Sequence, residues 1–120
     1  MNRNQEAILD LIKACNLIIE FCANLDQTSF LNDEKTQSSV LYQIVIIGEA
    51  VNRLTPDFIA NHPQIPFNAI RGMRNRVVHE YKEVDDHILW EVTQSNIPEL
   101  LAQIESINKS ESSDKDPYRF

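Results

Sequence analysis

Apolar residues recur along this chain at three- and four-residue steps, the spacing of one face of an α-helix. In the first stretch Ile8, Leu11, Ile12, Cys15, Ile18, Ile19 and Cys22 make one stripe, with Glu6, Asp10 and Lys13 on the other side. This predicts a helix over about residues 4–25. A polar link follows, in which Thr28 is expected to cap a short turn carrying Phe30 and Leu31. The next long helix should start at Asn32 or Asp33, both good N-caps, and run to about residue 54. Its buried set is Val40, Leu41, Ile44, Val45, Ile47 and Val51. Gly48 falls among them at a cost of roughly 1 kcal/mol against alanine, which predicts close approach of a neighbouring helix. Glu49 is either a solvated carboxylate at the rim or the partner of an arginine further along.

Thr55-Pro56 has the form of a cap followed by the first residue of a short helix. Pro63 and Pro66 bracket an extended link, and Pro66 opens another helix, in which Gly72 again suggests a tight contact. Asp85 caps a last helical region containing Ile88, Leu89, Trp90 and Val92. Pro98 should kink or restart that region, because it cannot donate to a continuing ladder. Leu100, Leu101, Ile104 and Ile107 carry the stripe to about residue 108. The pattern predicts one all-α domain over residues 1–109 and a mobile tail over 110–120.

One helix carries unusual polar content. Residues 71–81 read R-G-M-R-N-R-V-V-H-E-Y. At about 100° per residue, Ile70, Met73 and Val77 share the apolar stripe, with Arg74 and Tyr81 at its edge. Arg71, Asn75 and His79 follow at i, i+4 and i+8 on a neighbouring face. Five residues of helix place Arg74 about 140° from His79, so a single buried face cannot use both. Water, a ligand or another chain must face Asn75 and His79.

Composition narrows the chemistry. Two glycines in 120 residues agree with helices rather than sheet, and the length suits one hydrophobic core. No apolar run approaches the ~20 residues that span a bilayer, and M-N-R-N-Q-E has no apolar signal segment, so a cytoplasmic protein is expected. Cys15 and Cys22 lie seven residues apart on one helix, about 10 Å along its axis, too far to bridge. Both read as small core hydrophobes in a reducing compartment. The net charge of −7 argues against non-specific nucleic-acid binding, yet no acidic residue occurs between Asp57 and Glu80, where Arg71, Arg74 and Arg76 stand. That local patch suits a small anionic footprint.

His62, His79 and His87 lack the spacing of a zinc site, and there is no glycine-rich phosphate loop and no G-x-S-x-G elbow, so neither metal nor cofactor is expected. Arg74, Asn75, His79 and Tyr81 then admit two readings. One is a polar face that packs a dimer or meets solvent. The other is phosphodiester chemistry. Histidine is the side chain that exchanges protons near neutrality. An arginine fork holds the non-bridging oxygens as charge gathers on them. An amide orients a hydroxyl or phosphate oxygen, and a tyrosine stacks on a base.

The string R-N-R-V-V-H-E-Y, residues 74–81, resembles the R-x-x-x-x-H-x-Y pattern of HepT-like proteins in the HEPN superfamily. So do Y-Q-I-V-I-I-G-E-A-V-N-R-L (42–54), P-Q-I-P-F-N-A-I-R-G-M-R-N (63–75), D-H-I-L-W (86–90) and P-E-L (98–100). Phe67 departs from the tryptophan the family often carries there. The resemblance covers the chain from the first helix to about residue 101 and implies an antiparallel bundle of four to five helices that forms a homodimer. It implies motif helices of two subunits lining a shared cleft, and a metal-independent ribonuclease acting as the toxin of a type VII-like toxin–antitoxin system. The partner it implies is an MntA-type nucleotidyltransferase antitoxin that attaches AMP to Tyr81. On that reading Arg74 and His79 are catalytic, while Asn75, Arg71 and Arg76 position RNA. The competing expectation is a non-catalytic helical partner of a nucleotidyltransferase, or a nucleotide-binding module.

Overall fold

The structure is a computed structural model that describes residues 2–115. Among these there is no strand; the chain folds as helices α1 (Arg3–Cys22), α2 (Gln27–Leu31), α3 (Glu34–Arg53), α4 (Pro56–Ala60), α5 (Phe67–Glu80), α6 (Asp86–Glu91) and α7 (Ile97–Lys115). A 3-10 turn, Tyr81–Glu83, follows α5, and a π-helical turn, Val92–Asn96, joins α6 to α7. Residues 92 and 97 keep right-handed helical angles, so α6, the π turn and α7 form one continuous rod. The bundle therefore has four long members, α1, α3, α5 and this rod, plus the short α2 and α4. No helix among the described residues is long and apolar enough to cross a membrane.

The starts of the helices follow local chemistry. Asn2 and Gln5 close a capping box on α1, with hydrogen bonds of 2.9 and 3.2 Å. Asp33 accepts from the Thr36 amide at 3.0 Å and from its hydroxyl at 2.7 Å, fixing the start of α3. Thr55 caps α4 with Pro56 at its first position, and Asp85 caps α6. Asp26, not Thr28, caps α2: its carboxylate accepts from the Ser29 amide at 2.8 Å, and Thr28 lies inside the helix. The first helix ends at Cys22 rather than near residue 25, because the Ala23 and Leu25 amides bond back three residues in a tightened turn.

The π turn ends at Asn96, two residues before Pro98, at which a kink or a restart was expected. Proline removes one donor and crowds the carbonyl four residues back, and the wider turn relieves that crowding. Thr93, buried in this turn, donates to the Trp90 carbonyl at 2.7 Å. The domain boundary drawn after residue 109 falls inside α7, which continues to Lys115. Residues 116–120 of the expected tail lie outside the described residues.

Neighbouring helices run antiparallel. The start of α1 meets the end of α3: Arg3 Nε donates to the Arg53 carbonyl at 2.6 Å, Asn4 and Thr55 exchange bonds, and Arg53 pairs with Asp10 at 2.6 Å. The α3–α5 pair is likewise reversed, with Asn52 against Arg71 and Glu49 against Arg74. Helix α1 packs on α3 and on α7, and α3 packs on α5. The order across the bundle is α7, α1, α3, α5, which leaves the motif helix at an edge. Fully buried Ile8, Leu11 and Ile18 of α1, Val40 and Val51 of α3, and Ile104 of α7 make the centre of the core. Phe30 and Trp90 close one end, their ring centroids 5.2 Å apart. Between α5 and the rod of the π turn and the start of α7 lies an apolar cleft of about 500 Å³, floored by Ile44 and Ile47.

Candidate active site

Helix α5 buries little of itself: Phe67 and Val77 are buried, while Ile70 and Met73 are only partly covered. Arg71, Arg74, Asn75, Arg76 and His79 all ride on it. Tyr81 does not, because α5 ends at Glu80 and the tyrosine opens the 3-10 turn with 60% of its surface exposed. Its direction is set by that turn rather than by the wheel of α5.

Arg74 is the best-held side chain of the set. Its stem crosses α3 at Gly48, where an added Cβ would lie 2.3 Å from both Cβ and Cγ of Arg74. The close approach expected of Gly48 is therefore real, and the arginine stem is what approaches. Among the described residues Gly72 has no such neighbour: a Cβ there would meet nothing within 4 Å. The tight contact expected there is absent, because Gly72 lies two residues, about 200°, from the side that carries Arg74.

The guanidinium is gripped at both ends. Nη2 donates to Glu49 Oε1, and Nη1 donates to Asn75 Oδ1 at 3.0 Å. Nε is buried and has no hydrogen-bond partner among the described residues. With side-chain exposures of 21% for Arg74 and 53% for Glu49, the pair is too wet to hold the fold: such pairs contribute about 0–1 kcal/mol. Its effect is orientation. Of the two readings of Glu49, the arginine-paired one is correct.

One turn away, Arg71 Nε donates to Asn52 Oδ1 at 3.1 Å. Glu49 and Asn52 on α3 thus face Arg74 and Arg71 on α5, an i, i+3 pair against an i, i+3 pair. Asn52 was not singled out from the sequence. The matched spacing on two predicted antiparallel helices was the available signal. Arg76 and Asn75 are exposed.

The three histidines differ in their surroundings. His62 Nδ1 bonds the Phe58 carbonyl at 2.8 Å and its ring lies on Phe58, while His87 meets Gln27 at 3.3 Å. His79 is exposed and has no protein partner among the described residues. Exposed Val78 flanks it. Arg74 and His79 are five residues apart on one regular helix, about 7.5 Å in rise and 140° in azimuth, so a phosphate seated on the guanidinium of Arg74 is turned away from the imidazole of the same chain. Among the described residues no group of three or more His, Cys, Asp or Glu side chains is arranged to hold a metal ion.

The buried thiols stand apart from this site. Burial, followed by the charge of Glu105, pushes Cys15 up to about 12. Cys22 is also raised, chiefly by burial, against a hydrogen bond with Thr93 that acts the other way. Neither is a nucleophile at neutral pH.

Residues 11–107 match the family described as Ribonuclease HepT-like. The chain is similar to a Thermococcus cleftensis protein named as a probable ribonuclease HepT, 36% identical over 110 residues that cover 91% of this chain and 100% of the relative. It is also similar to a protein of Methanocaldococcus jannaschii named as a putative RNase, 32% identical over 102 residues covering 85% and 84% of the two chains. A Caldanaerobacter subterraneus protein named as a putative RNase is 33% identical over 101 residues, covering 84% and 90%. No solved structure matches the chain.

Proposed function

This chain belongs to the HepT-like ribonuclease family, and from that premise we propose that it cuts RNA as a homodimer, without a metal ion, by attack of a ribose 2′-hydroxyl on the adjacent phosphate. The observation that carries the reading is the contrast within one motif: Arg74 is clamped by Glu49 and Asn75, and His79, five residues on, is left without a partner. A clamped cation and an unoccupied imidazole are the two groups that this reaction needs.

In the proposed reaction His79 takes the proton of the 2′-hydroxyl as its oxygen bonds to phosphorus. The same residue of the second subunit returns a proton to the departing 5′-oxygen. Arg74 stabilises the negative charge on the phosphorane-like transition state. Asn75, Arg71 and Arg76 position the RNA. The second subunit is required by direction: the helix turns His79 away from the side that carries Arg74, and two-fold pairing brings a copy back to face it. The edge position of α5 and the exposed Val78 and Tyr81 beside His79 support such a pairing. Replacing His79 by Ala should lower the rate by on the order of 10² or more. Cleavage is measured in the presence of a chelator, and a natively folded His79→Ala dimer that cuts at the wild-type rate refutes the mechanism.

The setting we propose is a toxin restrained by an MntA-type nucleotidyltransferase antitoxin that attaches AMP to Tyr81. The tyrosine is exposed and two residues from His79, so the added phosphate would bring bulk and negative charge to the cleft. Intact mass after incubation with ATP and the cognate transferase tests this. The expected gain is one AMP, absent from Tyr81→Phe. A second reading, a non-catalytic partner of the transferase, is favoured by one observation: Glu49 already neutralises Arg74 in the free chain. Loss of cleavage in Arg74→Ala and His79→Ala, with chelator present, separates the two.

A further inference from the structure

The geometry points to Gly48 and Glu49 as the seat of Arg74, positioning residues that leave the guanidinium only its two terminal nitrogens with which to meet an anion. This rests on the ribonuclease reading for its consequence, and on the contacts alone for its geometry.

Three contacts define the seat. The missing side chain at Gly48 lets the Arg74 stem lie against α3, where a Cβ would come within 2.3 Å of two of its carbons. Glu49, the next residue, holds Nη2. Asn75, next to Arg74 itself, holds Nη1 at 3.0 Å. The stem cannot slide toward α3, and the head cannot turn without breaking one of two bonds.

The consequence follows from the donor inventory. A guanidinium has five N–H groups and grips an oxyanion by a pair of them. One common pair uses Nε with a terminal nitrogen; the other uses the two terminal nitrogens. In this chain Nε is buried against protein, which closes the first approach. Nη1 and Nη2 each carry two hydrogens and each has one bond to protein, so each keeps a donor. A phosphate therefore meets Arg74 end-on, along a direction set by Glu49. An arginine free to rotate would bind phosphate by either edge and would hold no single geometry as the transition state forms.

Glu49 has a second effect of the opposite sign. Its carboxylate lowers the local potential and weakens ground-state binding of an anion. Orientation should outweigh this in the rate: the bond to Nη2 fixes the geometry of the reacting phosphate, whereas the carboxylate, half exposed and paired with the guanidinium, opposes the more negative transition state only weakly.

The test uses the full chain as wild type, Glu49→Ala and Glu49→Gln, with two readouts. In nitrogen NMR of arginine side chains, assigned by the signal lost in Arg74→Lys, wild type should show Nη1 and Nη2 of Arg74 as resolved signals, because rotation is blocked. Glu49→Ala should merge them. Glu49→Gln, which keeps an acceptor oxygen, should retain part of the splitting. In cleavage of a single-stranded RNA oligonucleotide, Glu49→Ala should lower kcat by on the order of 10²-fold with KM changed by less than about threefold. Glu49→Gln should fall between it and wild type. Merged Arg74 signals in the wild type, or unchanged kcat with tighter RNA binding in Glu49→Ala, would overturn the proposal; in the second case Glu49 is only a competitor for phosphate. If wild type leaves RNA intact while the signals merge on removing Glu49, the ribonuclease reading fails and the seat stands.

Discussion

Replacing Gly48 by Ala puts one methyl group where the packing of α3 on α5 is tightest. The new Cβ would stand 2.3 Å from both Cβ and Cγ of Arg74. A rotamer change could move Cγ, but Cβ is fixed to the backbone of α5. The helices themselves must part, and ordinary contact at 3.4 Å requires a shift of about 1 Å. Overpacking of this kind costs roughly 1–3 kcal/mol, and alanine returns about 1 kcal/mol of helix propensity. The net loss is then roughly 0–2 kcal/mol, a fall of a few degrees in Tm for a chain of this length. The effect on function should be larger than that on stability, since a displacement of about 1 Å at a catalytic group costs on the order of 10² in rate. Circular dichroism melts and RNA cleavage well below Tm measure the two separately. A variant that melts above wild type, gaining the helix propensity in full, and cuts RNA normally would show that Arg74 does not lie on Gly48.

The same substitution at Gly72 should do the reverse, stabilising the fold by about 0.5–1 kcal/mol, since nothing lies within 4 Å of the added Cβ; a loss of stability in denaturant titration would mean that this face is covered in the assembly. For Cys15 the folded value is raised from 9.0 to about 12, so the folded state holds the thiol proton more tightly than the unfolded chain does. Its contribution to stability is intact below pH 9 and is lost as pH climbs toward 12; urea midpoints across that window should fall less steeply in Cys15→Ala than in wild type. Mixing wild-type and His79→Ala chains in equal amounts should leave about a quarter of the cleavage given by the same total of wild-type chain, since the half of the dimers that are mixed lack either the base or the acid of the proposed reaction. Retention of about half the cleavage after verified subunit exchange would mean that one copy of His79 suffices for each site.

The four long helices were readable because apolar residues recur at helical spacing along each; Asp33 and Asp85 were readable as caps because each precedes such a stretch, and Thr55 because Pro56 follows it at the first helical position. The start of α2 was misread since both Asp26 and Thr28 are cap residues and the helix has only five residues, too few to show a period. The two glycines carried different information. A glycine in a helix signals a close neighbour only on the face that meets one, and Gly72 sits opposite Arg74 on the same wheel that placed Gly48 among buried residues. The end of α5 at Glu80 was not legible, for no glycine or proline marks it, and Tyr81 was assigned to the helix in consequence. The grip on Arg74 was half legible. An arginine partner for Glu49 was one of two readings left open, but the bond to Asn75 and the burial of Nε depend on the depth at which α5 rests on α3, which no periodicity records.

The position of α5 at the edge of the bundle bears on how an acidic chain meets an anionic substrate. The chain carries −7, and Glu49 offsets the charge of Arg74. Arg71, bonded to the neutral Asn52, and the exposed Arg76 retain their full charge. At physiological salt the Debye length is about 8 Å, so these cations act on RNA already at the surface and attract it weakly from a distance. Charge supplied by one chain is thus a poor basis for capture. Bringing two edges together, as proposed, doubles the uncompensated arginines at the cleft, against Glu80, the one carboxylate that α5 itself carries. On this argument pairing does two things with one contact: it supplies the missing imidazole to each Arg74, and it concentrates enough positive charge to hold a phosphate there.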